Sequence, residues 1–174
     1  MPTTDYISNK VEGIVKKYRT RDPFELCEDM GIGVRYRDLG EQLKGFFFYQ
    51  SRIKTIVLNS RTDEMLHRAL CAHELGHAVL HSELLTAMRS FHELELFDSA
   101  IPSEYEANLF AAELLISDEQ LSELLESAGY SVFQAASILR VPIELLDFKF
   151  KSMKSRGYEI DPLYMANSDF LKYI

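Results

Sequence analysis

Residues 73–77 read His-Glu-Leu-Gly-His, and the run has a chemical use only on a helix. Two side chains four residues apart lie one turn apart on one helix face. Their ring nitrogens can then reach a single ion at about 2.0–2.1 Å each. Glu74, beside the first histidine, is placed to take a proton from water activated at such an ion. Gly76 weakens the helix by about 1 kcal/mol relative to Ala, which makes sense where another segment packs closely against it. The plainer reading is an amphipathic helix carrying two surface histidines. Leu66, Leu70, Val79 and Leu80 are available to bury the helix.

The rest of the chain supplies a frame for such a helix. Its 174 residues, 47% hydrophobic and 26% charged, suit one compact domain or a domain with a small appendage. The pattern predicts an α+β fold. A first helix covers 4–19, and Asp22-Pro23 caps and opens a second that ends at Gly31. Strands follow at 32–37, 45–49 and 53–58, the last two joined as a hairpin across Gln50-Ser51-Arg52. A three-stranded, mainly antiparallel sheet is expected. The metal-motif helix runs from about Thr62 to His81. Residues 82–102 lack a clear period and read as a loop or a short helix. Pro102-Ser103 opens another helix, with Ser103 and Glu106 as a capping box. The pairs Ser117/Gln120 and Ser131/Gln134 repeat that signature. A final helix starts near Pro142 and fades by Gly157. The expected organisation is a core over residues 1–128, with a helical region over 129–174 packed on it.

Charge and cysteine usage narrow the function classes. A net charge of −8 argues against non-specific nucleic-acid binding as the main role. Between residues 83 and 126 many acids face a single base, Arg89. They read as solvated helix faces or, functionally, as carboxylates around a cation. Residues 1–10 lack a basic segment followed by an apolar run, so no secretory signal is expected. No apolar stretch approaches the length of a membrane span. Two cysteines, Cys27 and Cys71, suit a reducing cytoplasm, with a bridge the minor alternative.

A catalytic zinc needs a third protein ligand and one open position. His81 continues the four-residue spacing, but it stands eight residues from His73, about 12 Å along the axis. It reads as a helix-terminal group or one that supports a ligand. Cys71 lies about 200° around the helix from His73 and reads as a small core residue. His67 and His92 have no partner spacing and read as surface residues. Glu104, on a separate helix able to cross the first, is the favoured third ligand. Asn108, four residues on, can hydrogen-bond a ligand imidazole and fix its tautomer. The rival is Glu106, which its capping position already explains.

With these residues in view, the sequence resembles a known family. Ala72-His-Glu-Leu-Gly-His-Ala-Val-Leu-His81, followed by Glu104-Tyr-Glu-Ala-Asn-Leu-Phe-Ala-Ala-Glu-Leu-Leu-Ile116, is similar to the ImmA/IrrE metallopeptidases over about residues 20–150. The resemblance implies a small zincin-like fold and a Zn²⁺ cofactor. It also implies site-specific cleavage of a DNA-binding repressor of the helix-turn-helix type, releasing phage, mobile-element or stress-response genes in a bacterial cytoplasm. The motif carries over as His73, His77 and Glu104 for the metal and Glu74 for the base. Asn108 stands where relatives often have Asp or Asn. One departure is the approach to the motif helix, Met65-Leu-His-Arg-Ala-Leu-Cys71, which lacks the Arg-rich, Phe-containing pattern of many members.

The C-terminal third holds a weaker signal. Ala136, Val141 and Leu146 match the spacing of a helix-turn-helix, with Arg140 where glycine is often found, and Lys149, Lys151, Lys154 and Arg156 follow. Either these helices contact DNA or a repressor, or they are a plain hairpin covering the core, and the plain hairpin is favoured. A non-catalytic, zinc-stabilised regulatory module is the alternative to an enzyme. It would need four protein ligands closing the metal.

Overall fold

The computed structural model describes residues 3–81 and 102–159. In chain order the elements are α1 (Thr4–Tyr18), α2 (Pro23–Asp29), β1 (Ile32–Arg37), β2 (Gly45–Gln50), β3 (Ile53–Asn59) and α3 (Glu64–Leu80). Then come α4 (Pro102–Leu115), α5 (Asp118–Ser122) with a π-helical turn to Ser127, α6 (Val132–Leu139) and α7 (Ile143–Ser155). The fold is α+β, as the pattern predicts. The interval 82–101, His92 included, lies outside the described residues.

Short polar side chains start the helices by accepting otherwise unpaired amide hydrogens. Thr3 accepts from the Tyr6 amide, Asp22 from those of Phe24 and Glu25, and Asp63 from that of Met65. Ser131 and Gln134 complete a reciprocal capping box, whereas Ser117 accepts from the Gln120 amide.

The sheet differs from expectation in one respect. Its order is β1-β3-β2. β2 and β3 are antiparallel, closing at Gln50↔Ile53, and β1 pairs with β3 in parallel. The sheet is therefore mixed rather than mainly antiparallel. Three strands running up, down and up leave β1 and β3 parallel whenever they are neighbours. β3 takes the middle because it is buried continuously from Thr55 to Asn59, which suits a strand covered on both faces. The hairpin turns at Ser51 and Arg52, both at positive φ (52° and 68°), as a two-residue type I′ turn requires. Asn59, buried at the end of β3, holds the preceding loop. Its side-chain amide donates to the Gly40 and Leu43 carbonyls at 2.7 and 2.8 Å.

α3 packs against β2, β3 and α2 on one side and is crossed by α4 on the other, and α1 and α7 cover α4. Gly76 sits at the α3–α4 crossing. A Cβ there would stand 3.1 Å from the Ala107 Cα and 3.2 Å from its carbonyl oxygen, so the helices meet this closely only because residue 76 has no side chain. A single hydrophobic cluster runs from Ile7 and Val11 through Ile56, Leu75 and Phe110 to Leu145, Phe148 and Met153. The helices after residue 129 thus share the core of the preceding segments. Among the described residues, no helix is long and apolar enough to cross a membrane.

Candidate metal centre

The middle of α3 is buried nearly all round, His73 and Glu74 included. Burying polar side chains is costly unless each finds a partner, and the facing helix provides them. α4 brings Glu104 in its first turn to both imidazoles. The His73 Nε2 to Glu104 Oε2 and His77 Nε2 to Glu104 Oε1 distances are each 3.4 Å. The two Nε2 atoms stand 3.2 Å apart. Ligand atoms at about 2.0–2.1 Å from one tetrahedral ion would be about 3.3 Å from each other. The two imidazoles face different oxygens of one carboxylate, and one ligand atom from each of the three residues lies within 4.8 Å of the others, close enough to converge on one ion. They form the one cluster among the described residues with the spacing to hold a metal ion.

The surrounding groups orient these three. His73 Nδ1 lies 2.8 Å from Asn108 Oδ1. The amide oxygen accepts, so Nδ1 carries the hydrogen and Nε2 offers a lone pair to the centre. His77 Nδ1 lies 3.2 Å from His81 Nδ1, and His81 Nε2 is 2.8 Å from Glu106 Oε2. His81 is the C-cap of α3, its amide bonded to the His77 carbonyl. Glu74 is buried on the same helix, close to the start of β2: a Cβ built on Gly45 would lie 3.6 Å from Glu74 Oε1.

The electrostatics describe a site built for positive charge. Burial pulls the His73 imidazole down. The Glu104 hydrogen bond, the charges of Glu74 and Glu104 and the Asn108 bond outweigh it, leaving its pKa above the ordinary imidazole value. Burial dominates at His77 and pushes it down to about 4 against the pull of the Glu104 hydrogen bond and charge. Burial raises Glu104, but the hydrogen bonds and charges of both histidines prevail and hold its carboxyl far below the usual range.

Several expectations change on this geometry. Ser103 lies inside α4 rather than before it, and the Glu106 carboxylate is buried on His81 instead of closing a capping box. A stronger partner, brought by the α3–α4 crossing, has taken that side chain. The acids of α4 are not a solvated face either, since Glu104, Glu106 and Glu113 are all buried. His67 is half-buried: its Nε2 lies 2.9 Å from the Asn59 carbonyl oxygen and its ring is edge-on to Tyr36. Cys27 and Cys71 are free, buried and in contact, with sulfurs 3.8 Å apart. The Cys27 contact and burial push the Cys71 thiol far up, which keeps it protonated. Sequence reading missed the Glu106–His81 pair, although the third member of the four-residue histidine series was its visible signal.

At the C-terminal hairpin, Arg140 adopts the left-handed conformation (φ 54°) and Ala136, Val141 and Leu146 are buried. α7, the position of a recognition helix, is buried from Leu145 to Phe150. Lys149 and Arg156 are held by Glu113 and Asp118, and Lys151 by Asp147. These contacts pack the hairpin onto the core.

Comparison with known proteins agrees with the geometry. Residues 27–151 match the family model described as the IrrE N-terminal-like domain. The chain is 36% identical over 143 residues to "Uncharacterized immunity region protein 2" of Bacillus phage phi105, covering 82% of this chain and 88% of the relative. It is 30% identical over 154 residues to "Metallopeptidase ImmA" of Bacillus subtilis (strain 168), covering 88% and 89%. A motif helix crossed by a glutamate-bearing helix, a family match over most of the chain and two relatives aligned nearly end to end lead to one assignment: the chain belongs to the ImmA/IrrE family of metallopeptidases.

Proposed function

We propose that this chain is a zinc-dependent endopeptidase that cleaves a DNA-binding repressor at one site in a bacterial cytoplasm. The observation that carries the reading is the convergence of His73, His77 and Glu104, with the two Nε2 atoms 3.2 Å apart and each 3.4 Å from an oxygen of the one carboxylate. It fits a tetrahedral ion with three protein ligands, the number typical of catalytic rather than structural zinc. His73, His77 and Glu104 would hold the metal. Zinc there would supply Lewis-acid polarisation of the scissile carbonyl and make the attacking water more acidic.

The chain's own residues do the rest. Glu74 takes the proton from the attacking water on its carboxylate and passes it to the leaving amine. Asn108 holds the His73 ring with its Nε2 lone pair inward. β2 is an outer strand of the sheet, and its first residue lies against Glu74. An extended substrate segment adding to β2 would pass beside that carboxylate. Gly45 keeps the approach open there. The repressor as substrate rests on the family resemblance, and a phage relative named for an immunity region supports it. Direct DNA reading by α7 is disfavoured, because its apolar positions and its lysines are already engaged.

The test is incubation of the zinc-loaded protein with the repressor encoded beside it. Two fragments from a single cut, abolished by a chelator, are expected. Glu74→Gln should retain zinc and lose about 10²–10⁴-fold in cleavage rate. Altered repressor–DNA affinity without fragments would replace the enzyme by a binding module. Undiminished cleavage by Glu74→Gln would remove the assigned role of that residue.

A further inference from the structure

The geometry points to Glu106 and His81 as a positioning relay that fixes the tautomer of His77, so that its Nε2 lone pair faces the metal locus. This rests on the metallopeptidase reading above and extends it by two residues. Glu106 Oε2 and His81 Nε2 are 2.8 Å apart, both side chains buried. The carboxylate oxygen is the acceptor of this contact, so His81 Nε2 carries the hydrogen. With that hydrogen on Nε2, the other ring nitrogen of His81, Nδ1, is the one left to accept. Its neighbour at 3.2 Å is His77 Nδ1, which the relay makes the donor. That leaves His77 Nε2 with a bare lone pair, 3.2 Å from the Nε2 of His73 and 3.4 Å from Glu104 Oε1.

The two imidazoles are thus oriented by different means. His73 has a neutral amide oxygen behind it, from Asn108. His77 has an imidazole behind it, and behind that a carboxylate two residues from Glu104 on α4. Both chains of bonds run from α3 to α4, so the helix that supplies Glu104 also sets the orientation of both histidines. A ligating histidine whose other nitrogen lacks such a partner can rotate or carry its hydrogen on the wrong atom. Loss of such a partner costs about 10–100-fold in metal affinity. Glu106 is therefore a positioning residue that acts through His81.

Two measurements on the full chain test this. The first is ¹⁵N-detected long-range correlation NMR of the metal-free protein, which reports the protonated nitrogen of each histidine. The Nδ1–H form of His77 is expected in the parent, and a mixture with the Nε2–H form in Glu106→Ala. The second is zinc affinity by competition with a chromogenic chelator. Glu106→Ala should weaken zinc about 10–100-fold with an unchanged circular dichroism spectrum. Glu106→Gln, which keeps a carbonyl acceptor for His81, should recover most of that loss. In a His81→Ala background, Glu106→Ala should cost little more, because the two act in series. An Nε2–H His77 in the parent, unchanged zinc affinity in Glu106→Ala, or fully additive losses in the double variant would each overturn the relay. A parent with the Nδ1–H form that takes up no zinc would support the relay and count against the metallopeptidase reading instead.

Discussion

Helix α4 buries carboxylates toward both ends, and the two ends meet different partners. At its start, Glu104 faces two imidazoles and Glu106 a third. Toward its end, Glu113 accepts from Ser8 and from Lys149 Nζ at 3.1 and 3.0 Å. Lys149 also reaches Asp118 at 2.6 Å, and Arg156 bonds both acids. The far cluster is closed: permanent cations neutralise its acids, and nothing further is needed. Imidazoles at the near cluster offer lone pairs and carry charge only when protonated. The same residue type on one helix thus makes a structural lock or a cation site according to whether its partner is lysine or histidine.

The contrast can be broken most sharply at Lys149. Replacing it by methionine leaves Glu113 buried against weaker partners, and a loss of about 3–5 kcal/mol in stability is expected by urea unfolding. Added zinc should not restore it. A loss under about 1 kcal/mol would mean that the far cluster is not a lock.

Next in size is the response of the near cluster to metal. Zinc at about 100 times its Kd should stabilise the parent by about 2.7 kcal/mol, and Glu104→Gln should lose most of this gain. Equal stabilisation of both proteins would show the ion to be bound elsewhere.

Gly76→Ala tests the crossing that assembles the near cluster. With the Ala107 backbone 3.1–3.2 Å from the new methyl, a cost of about 1–3 kcal/mol is expected, together with weaker zinc binding. An unaltered zinc affinity would show that α4 gives way without disturbing Glu104.

The smallest effect, from acid, separates the two ends by pH. His73 holds its proton above the ordinary value of 6.5, so protons should begin to compete with zinc already above that pH. The Asp118 pKa is lowered to about 2: burial raises it, but the Arg156 and Lys149 bonds and charges outweigh that. A depressed carboxylate stabilises the fold above its unfolded value of about 3.8, and this contribution is lost as pH falls toward 2. Acid titration of the zinc protein should therefore release metal well before the Asp118 contribution disappears. Simultaneous loss, followed by zinc-indicator dye and circular dichroism, would argue against two independent clusters.

Local signals in the chain were strong where the physics is local. Helix starts at Asp22-Pro23 and Ser131–Gln134 and the hairpin between β2 and β3 are all set by residues within a few positions of each other. The likeness of His73–His81 and Glu104–Ile116 to one family was equally plain. What escaped reading depends on which elements meet. The middle place of β3 follows from burial on both faces. The role of Glu106 follows from a partner 25 residues away, although its sequence position fits a cap equally well. Lys149 looked like part of a basic stretch until Glu113 and Asp118, 36 and 31 positions earlier, were seen around it.

The sequence by itself determined the helix that bears His73, Glu74 and His77, because a four-residue spacing and the caps act within a turn or two. Only the tertiary structure decided which acid on α4 faces both imidazoles, which supports a histidine and which merely pairs with a lysine. That choice depends on the angle and closeness of the α3–α4 crossing, set at Gly76 by packing between residues about thirty apart in the chain.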